Sequence, residues 1–95
     1  MGRILVLGEG EARREYLVSS AERYLGRDEG NDIVLDDEEV SARHAGITFA
    51  EGAFWVEDLQ TTNGTFVNGE RITEPRRLQN EDLIKIGRTI LQFRV

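Results

Sequence analysis

The chain has no cysteine, a single proline, a single histidine and no apolar run longer than a few residues. Without cysteine there are no disulfides, no thiol nucleophile and no Cys-ligated zinc. The apolar runs are far too short to span a bilayer, which takes about 20 residues as a helix. Basic residues are in deficit: twelve Lys and Arg face eighteen Asp and Glu, for a net charge of −6. Broad binding to nucleic acid or to an anionic membrane needs a dominant basic surface, so neither is expected, and any anion must be held locally. A signal-peptide layout is lacking too, because Met1-Gly2-Arg3 leads straight into a strand-like run. With no leader and no cysteine, a cytoplasmic address is expected.

What is present is the composition of a globular domain, 39% hydrophobic and 32% charged over 95 residues. That length fits one domain over 1–95, burying about 65% of the surface of its unfolded chain. The last apolar run reaches Val95 with no tail, as in a domain cut from a longer protein.

Short apolar runs at residues 4–7, 33–35, 45–49, 53–56, 65–67, 83–86 and 90–95 are separated by Gly, Asn and Asp. This spacing predicts many short strands joined by tight turns. In the last run Leu91, Phe93 and Val95 alternate with Gln92 and Arg94, which predicts one buried and one wet face. Glu51-Gly52, Asn68-Gly69 and Gly87-Arg88 each sit between runs and read as hairpin turns, Asn-Gly supplying the two positive φ angles of a type I′ turn. Residues 12–25 conflict with this pattern. Leu17, Ala21, Tyr24 and Leu25 fall at i, i+4, i+7 and i+8, a helical spacing on local signals alone.

Four elements lie at strand ends or in loops and carry the chemistry: Gly26-Arg27, Ser41-Ala42-Arg43-His44, Thr62-Asn63-Gly64-Thr65 and Asn68-Gly69. In this order, with Asn31-Asp32-Ile33-Val34-Leu35 after the first and Asp58-Leu59 before the third, the set resembles the forkhead-associated (FHA) domain family over residues 24–95. The resemblance implies an all-β fold, an FHA-type β-sandwich of two twisted antiparallel or mixed sheets with about eleven strands. It places binding loops at one end, where they read a phosphothreonine in an extended peptide. It also implies that residues 12–25 form strands 2 and 3, against the local helical signal, which is a weak prior beside tertiary context.

Phosphothreonine brings a charge of about −1.5 to −2 and three strong acceptor oxygens. The Arg27 guanidinium offers a fork matched to two of them; taken alone, Arg27 could equally close a turn by ion pairing. Gly26 would let the chain turn tightly ahead of it. Ser41 is a compact hydroxyl donor, and the family uses the matching Ser on phosphate, although by itself Ser41 could be a solvated loop residue. His44 reads as structural, because its family counterpart holds the loops together. Ala42 departs from the pattern: the family commonly places Arg, Lys or Asn there, and a methyl group donates nothing.

The Asn63 amide can grip a ligand main chain, as the matching family Asn does, with Thr62 beside the phosphate, while Gly64 completes the turn. Asn68 and Gly69 read as a hairpin turn with no ligand role. The acidic run Asp36-Asp37-Glu38-Glu39 lacks calcium-loop spacing and reads as a solvated loop. If it faces the ligand, it favours basic peptides. Glu39 stands where some family members choose the third residue after the phosphothreonine, and Arg43 is a second specificity candidate.

No catalytic residue, cofactor or metal is expected. Ser41 and His44 lack an oxyanion hole and an orienting acid. Gly8-Glu9-Gly10 has Arg13 where a dinucleotide fingerprint needs its third glycine, so it reads as a turn. The partner that the resemblance implies is a threonine-phosphorylated protein, the product of a Ser/Thr kinase. The other reading is an FHA-like adaptor that binds an unmodified partner or itself, and Ala42 keeps it open.

Overall fold

The structure, a computed structural model, describes residues 2–7 and 14–95. The Gly8-Glu9-Gly10 turn, and Ala12 and Arg13 of the helical spacing, lie outside the described residues. Eleven strands run in chain order: β1 (Gly2–Leu7), β2 (Arg14–Val18), β3 (Arg23–Gly26), β4 (Ile33–Val34), β5 (Ala45–Ala50), β6 (Ala53–Asp58), β7 (Thr65–Val67), β8 (Glu70–Arg71), β9 (Arg76–Arg77), β10 (Leu83–Ile86) and β11 (Thr89–Arg94).

They form a six-stranded sheet in the order β2-β1-β11-β10-β7-β8 and a five-stranded sheet in the order β4-β3-β5-β6-β9. Every pairing is antiparallel except β3 with β4, where Leu25 and Gly26 run parallel to Ile33 and Val34. The inner faces meet in one core. Ile4, Ile84, Ile86, Leu91 and Phe93 come from one sheet, and Leu25, Ile33, Ile47 and Val56 from the other, all essentially inaccessible to solvent. Each such side chain contributes about 1.5–3 kcal/mol by leaving water. Phe54 of β6 and Phe93 of β11 close the gap between sheets with ring centroids 5.4 Å apart.

The segment with helical spacing is two strands among its described residues. Tyr16 and Val18 turn toward the core while Leu17 is 72% exposed, so the true period there is two. The pairing of β2 with β1, Gly2 opposite Val18 through Val6 opposite Arg14, supplies hydrogen bonds that a helix would have formed internally. Val95 also departs from its reading: β11 ends at Arg94, and Val95 beyond it is 66% exposed.

Glu51 and Gly52 both have positive φ (55° and 76°), as do Asn68 and Gly69 (51° and 88°), the geometry of type I′ hairpins. At Gly87 only the first turn position is positive (φ 61°), as in type II′. These turns set which ends of the strands point where. The end of β3, the start of β5, the end of β6, the start of β7 and the β10–β11 hairpin all lie at one end of the sandwich, since Ala45 pairs with Asp58 and Thr65 with Ile86.

Candidate functional site

The loops at that end are built on a close approach. Gly26, the last residue of β3, is buried, and the carbonyl of Ala42 occupies the space a Cβ would need. Gly26 does not take a positive φ, so its role is clearance for the neighbouring loop instead of the tight turn expected from sequence. Across this contact the β3–β4 and β4–β5 loops are zipped together. Arg27 N donates to Ser41 O (3.0 Å) and Asp28 N to Ala42 O (3.1 Å). The buried Asn31 amide donates to Ala42 O (2.6 Å) and Asp28 O (2.8 Å). Arg27 thereby has a fixed backbone and an exposed side chain that makes no hydrogen bond or ion pair among the described residues.

His44 is the inner tie. It has no solvent exposure; Nδ1 accepts from the Ser41 backbone N–H (3.0 Å) and Nε2 faces the Gly64 carbonyl at 2.9 Å. Accepting at Nδ1 assigns the proton to Nε2, which donates to Gly64 O. One imidazole thus joins the β4–β5 loop to the β6–β7 loop. It meets the backbone of Ser41 and not its hydroxyl, so Ser41 and His44 do not form a nucleophile and base.

Asp58, at the end of β6, anchors the β6–β7 loop. Its Oδ1 accepts from the hydroxyls of Thr61 and Thr65 (both 2.7 Å), and its Oδ2 accepts from Thr61 N–H (3.0 Å). Burial pushes this carboxyl up, but the hydrogen bonds from Thr61 and Thr65 and the nearby His44 outweigh it and hold it below the usual carboxylate value. Thr61 Oγ1 in turn accepts from Gly64 N–H at 2.9 Å. Thr62 and Asn63 are presented, exposed, on this rigid loop. Gly64 takes φ 88°, a conformation that disfavours any side chain.

The acidic run is less solvated than its sequence suggests. Asp37 is half-buried and accepts from Glu39 N–H (2.9 Å), Arg88 N–H (2.8 Å) and the Thr89 hydroxyl (2.8 Å). It pins the β4–β5 loop to the β10–β11 hairpin. Here too burial raises the carboxyl and the hydrogen bonds from Glu39, Thr89 and Arg88 more than reverse it. The Glu39 carboxylate pairs with Arg88 at 3.0 Å, and its carbonyl accepts from the Asn63 amide at 2.9 Å. Asp36 and Glu38 are exposed.

The structure brings Arg27, Ser41, Ala42, Glu39, Thr62 and Asn63 onto one cluster of interlocked loops, with Gly26, His44 and Gly64 beneath. Arg43 is directed elsewhere: its guanidinium lies 4.3 Å over the ring of Tyr24. Asn68 and Gly69 turn the chain at the opposite end of β7, where Asn68 exchanges hydrogen bonds with Leu83 and Asp82. Thr61 and Arg71 were not singled out from sequence, and Asn31 and Asp37 entered only within longer runs, Asp37 as part of a solvated loop. Only Asp58 and Thr61, three residues apart, carried a legible turn signature. Among the described residues no cluster of His, Cys, Asp and Glu could hold a metal ion, and no helix is long and apolar enough to cross a membrane.

Chemically, the cluster offers a free guanidinium, hydroxyls at Ser41 and Thr62, and an exposed amide at Asn63. These are donors for a bound anion and an adjoining main chain.

The FHA domain family profile matches residues 23–87 of this chain. An oxoglutarate dehydrogenase inhibitor from Corynebacterium efficiens is 40% identical over 94 residues, covering 95% of this chain and 63% of that protein. The chain thus spans less than two thirds of the length of this curated relative. A structure from an analysis of phosphothreonine-dependent FHA domain interactions superposes with a TM-score of 0.89 and 26% identity, covering 99% of this chain and 95% of the other. EmbR from Mycobacterium tuberculosis, solved with a low-affinity phosphopeptide, superposes with a TM-score of 0.89 and 32% identity, covering 99% of this chain and 24% of that one.

Proposed function

We propose that this chain, which belongs to the FHA domain family, is a phosphothreonine-peptide-binding module that recruits a phosphorylated protein partner. The observation that carries the reading is the state of Arg27. Its backbone is zipped to Ser41 while its guanidinium is exposed and unpaired among the described residues. With the backbone already fixed and no ion pair to break, only the side chain has to be ordered when the guanidinium captures an anion. Ser41 and Thr62 add hydroxyl donors, and Asn63 addresses the peptide main chain beside the phosphate. The phosphopeptide held by EmbR and the phosphothreonine dependence studied for the other superposed FHA structure support the same assignment.

With a net charge of −6, the module reads a local phosphate and not a polyanion. The partner is the product of an intracellular Ser/Thr kinase, and the module itself is an adaptor, not a catalyst. Affinity in the micromolar range, about −8 kcal/mol, is what a few charge-assisted contacts leave after an extended peptide is ordered.

The missing donor at Ala42 favours a second reading, a phosphate-independent adaptor on the same scaffold. Calorimetric titration with one threonine peptide, phosphorylated and unmodified, separates the two. Phosphate-dependent binding is the expected result; equal affinity for both peptides overturns the proposal in favour of the adaptor.

A further inference from the structure

Arg71, on the two-residue strand β8, lies opposite Phe66 in the pairing of β7 with β8. Its Nη2 donates to the carbonyls of Thr62 (3.1 Å) and Thr61 (3.5 Å), the loop that presents Thr62 and Asn63. The Arg71 side chain also lies close against Gly64, where a Cβ would come within 2.6 Å of Nε and 2.9 Å of Cζ. No carboxylate pairs with Arg71 among the described residues, and the adjacent Glu70 is bound to Arg76 instead. Asp58 and His44 hold the inner side of this loop, Asn63 ties it to the Glu39 carbonyl, and Arg71 holds the Thr61 and Thr62 carbonyls.

We propose that Arg71 is a positioning residue for phosphopeptide recognition: by clamping the Thr61 and Thr62 carbonyls against Gly64, it sets the direction in which Thr62 and Asn63 face the ligand. This rests on the phosphopeptide reading of the site. Both contacts come from the one nitrogen Nη2, held on a planar guanidinium frame, whereas an ammonium is a point charge on a flexible stem. The charge on Arg71, paired with no carboxylate among the described residues, also raises the local positive potential beside Thr62. Gly64 is required on two counts, its φ of 88° and the clearance the guanidinium needs.

The test uses Arg71→Met and Arg71→Lys. Backbone amide spectra of ligand-free protein, thermal midpoints, and titrations with phosphorylated and unmodified threonine peptide are recorded for each. In Arg71→Met, the amides of Thr61 to Gly64 shift, phosphopeptide affinity falls about five- to tenfold, and the thermal midpoint stays close to wild type because the side chain is exposed on an edge strand. Arg71→Lys recovers part of the affinity. Unmoved loop amides or unchanged affinity in Arg71→Met overturn the proposal. If Arg71→Met fails to fold, Arg71→Lys decides: shifted loop amides with a loss of about two- to threefold support it, and unchanged amides and affinity overturn it. Failure of the phosphopeptide reading shows separately, as equal affinity of the wild-type protein for the two peptides.

Discussion

The carbonyl oxygen of Ala42 sits where Gly26 would carry its Cβ. The two loops that present Arg27 and Ser41 can therefore interlock only because residue 26 has no side chain. Gly26→Ala would force the loops apart and break the Arg27–Ser41 and Asp28–Ala42 backbone bonds. Overpacking of this kind costs about 1–3 kcal/mol, and a lowered midpoint in urea unfolding with an unchanged slope is the expected result. Wild-type stability in this variant would mean that the loops adjust without cost.

Arg27→Ala should leave stability within about 0.5 kcal/mol of wild type, since its side chain makes no bond among the described residues. Phosphopeptide affinity should drop more than about tenfold, from loss of a charge-assisted contact of about 1.5–3 kcal/mol. Fluorescence polarisation with a labelled phosphopeptide reads this directly. Retained affinity would place the phosphate elsewhere.

At position 42 the methyl group is exposed while the carbonyl is occupied by Asp28 and Asn31, so a longer side chain meets open space. Ala42→Arg should tighten phosphopeptide binding about fivefold, a gain of about 1.5–3 kcal/mol offset by up to about 2 for ordering the side chain. Part of that gain should fade between 0.05 and 0.5 M salt, spanning the range of about 10 Å screening length. No change in affinity at low salt would show that residue 42 does not face the phosphate.

Asp37 and Asp58 make the loop scaffold sensitive to acid. Both carboxyls titrate below their ordinary value of 3.8 in the folded protein, so on either side of that value the unfolded chain binds protons first. Their stabilisation is fully present above the unfolded-state value and is lost as the pH falls through the lowered folded values. Urea unfolding between pH 2.5 and 6 should show stability declining below about pH 4. Asp37→Asn and Asp58→Asn should each be less stable at neutral pH and show a shallower acid decline. An acid profile identical to wild type in both variants would remove these two groups as its cause.

Strands with alternating or continuous apolar runs were legible because their pattern is local. Residues 65–67 and 83–86 coincide with β7 and β10 as observed, and the Asn68-Gly69 turn has the dihedral angles its residue types demand. Residues 14–25 misread locally as helix because Leu17 is an outward-facing apolar residue that completes a false 3.6 period. Glu70–Arg71 and Arg76–Arg77 are strands with no apolar signal, two residues each, existing only because β7 and β6 offer free edges.

The sequence by itself determined the all-β class, most turns, and the residue types of the candidate site: a Gly-Arg pair, Ser41, Thr62 and Asn63. Tertiary structure alone decided which of these face outward and what holds them there. His44, bound to Ser41, reaches Gly64 across twenty residues, Asp37 reaches Arg88 and Thr89 across more than fifty, and Arg43 turns away onto Tyr24. Strand periodicity follows from neighbours along the chain, whereas these ties depend on how two sheets bring distant loops together, which no local pattern encodes.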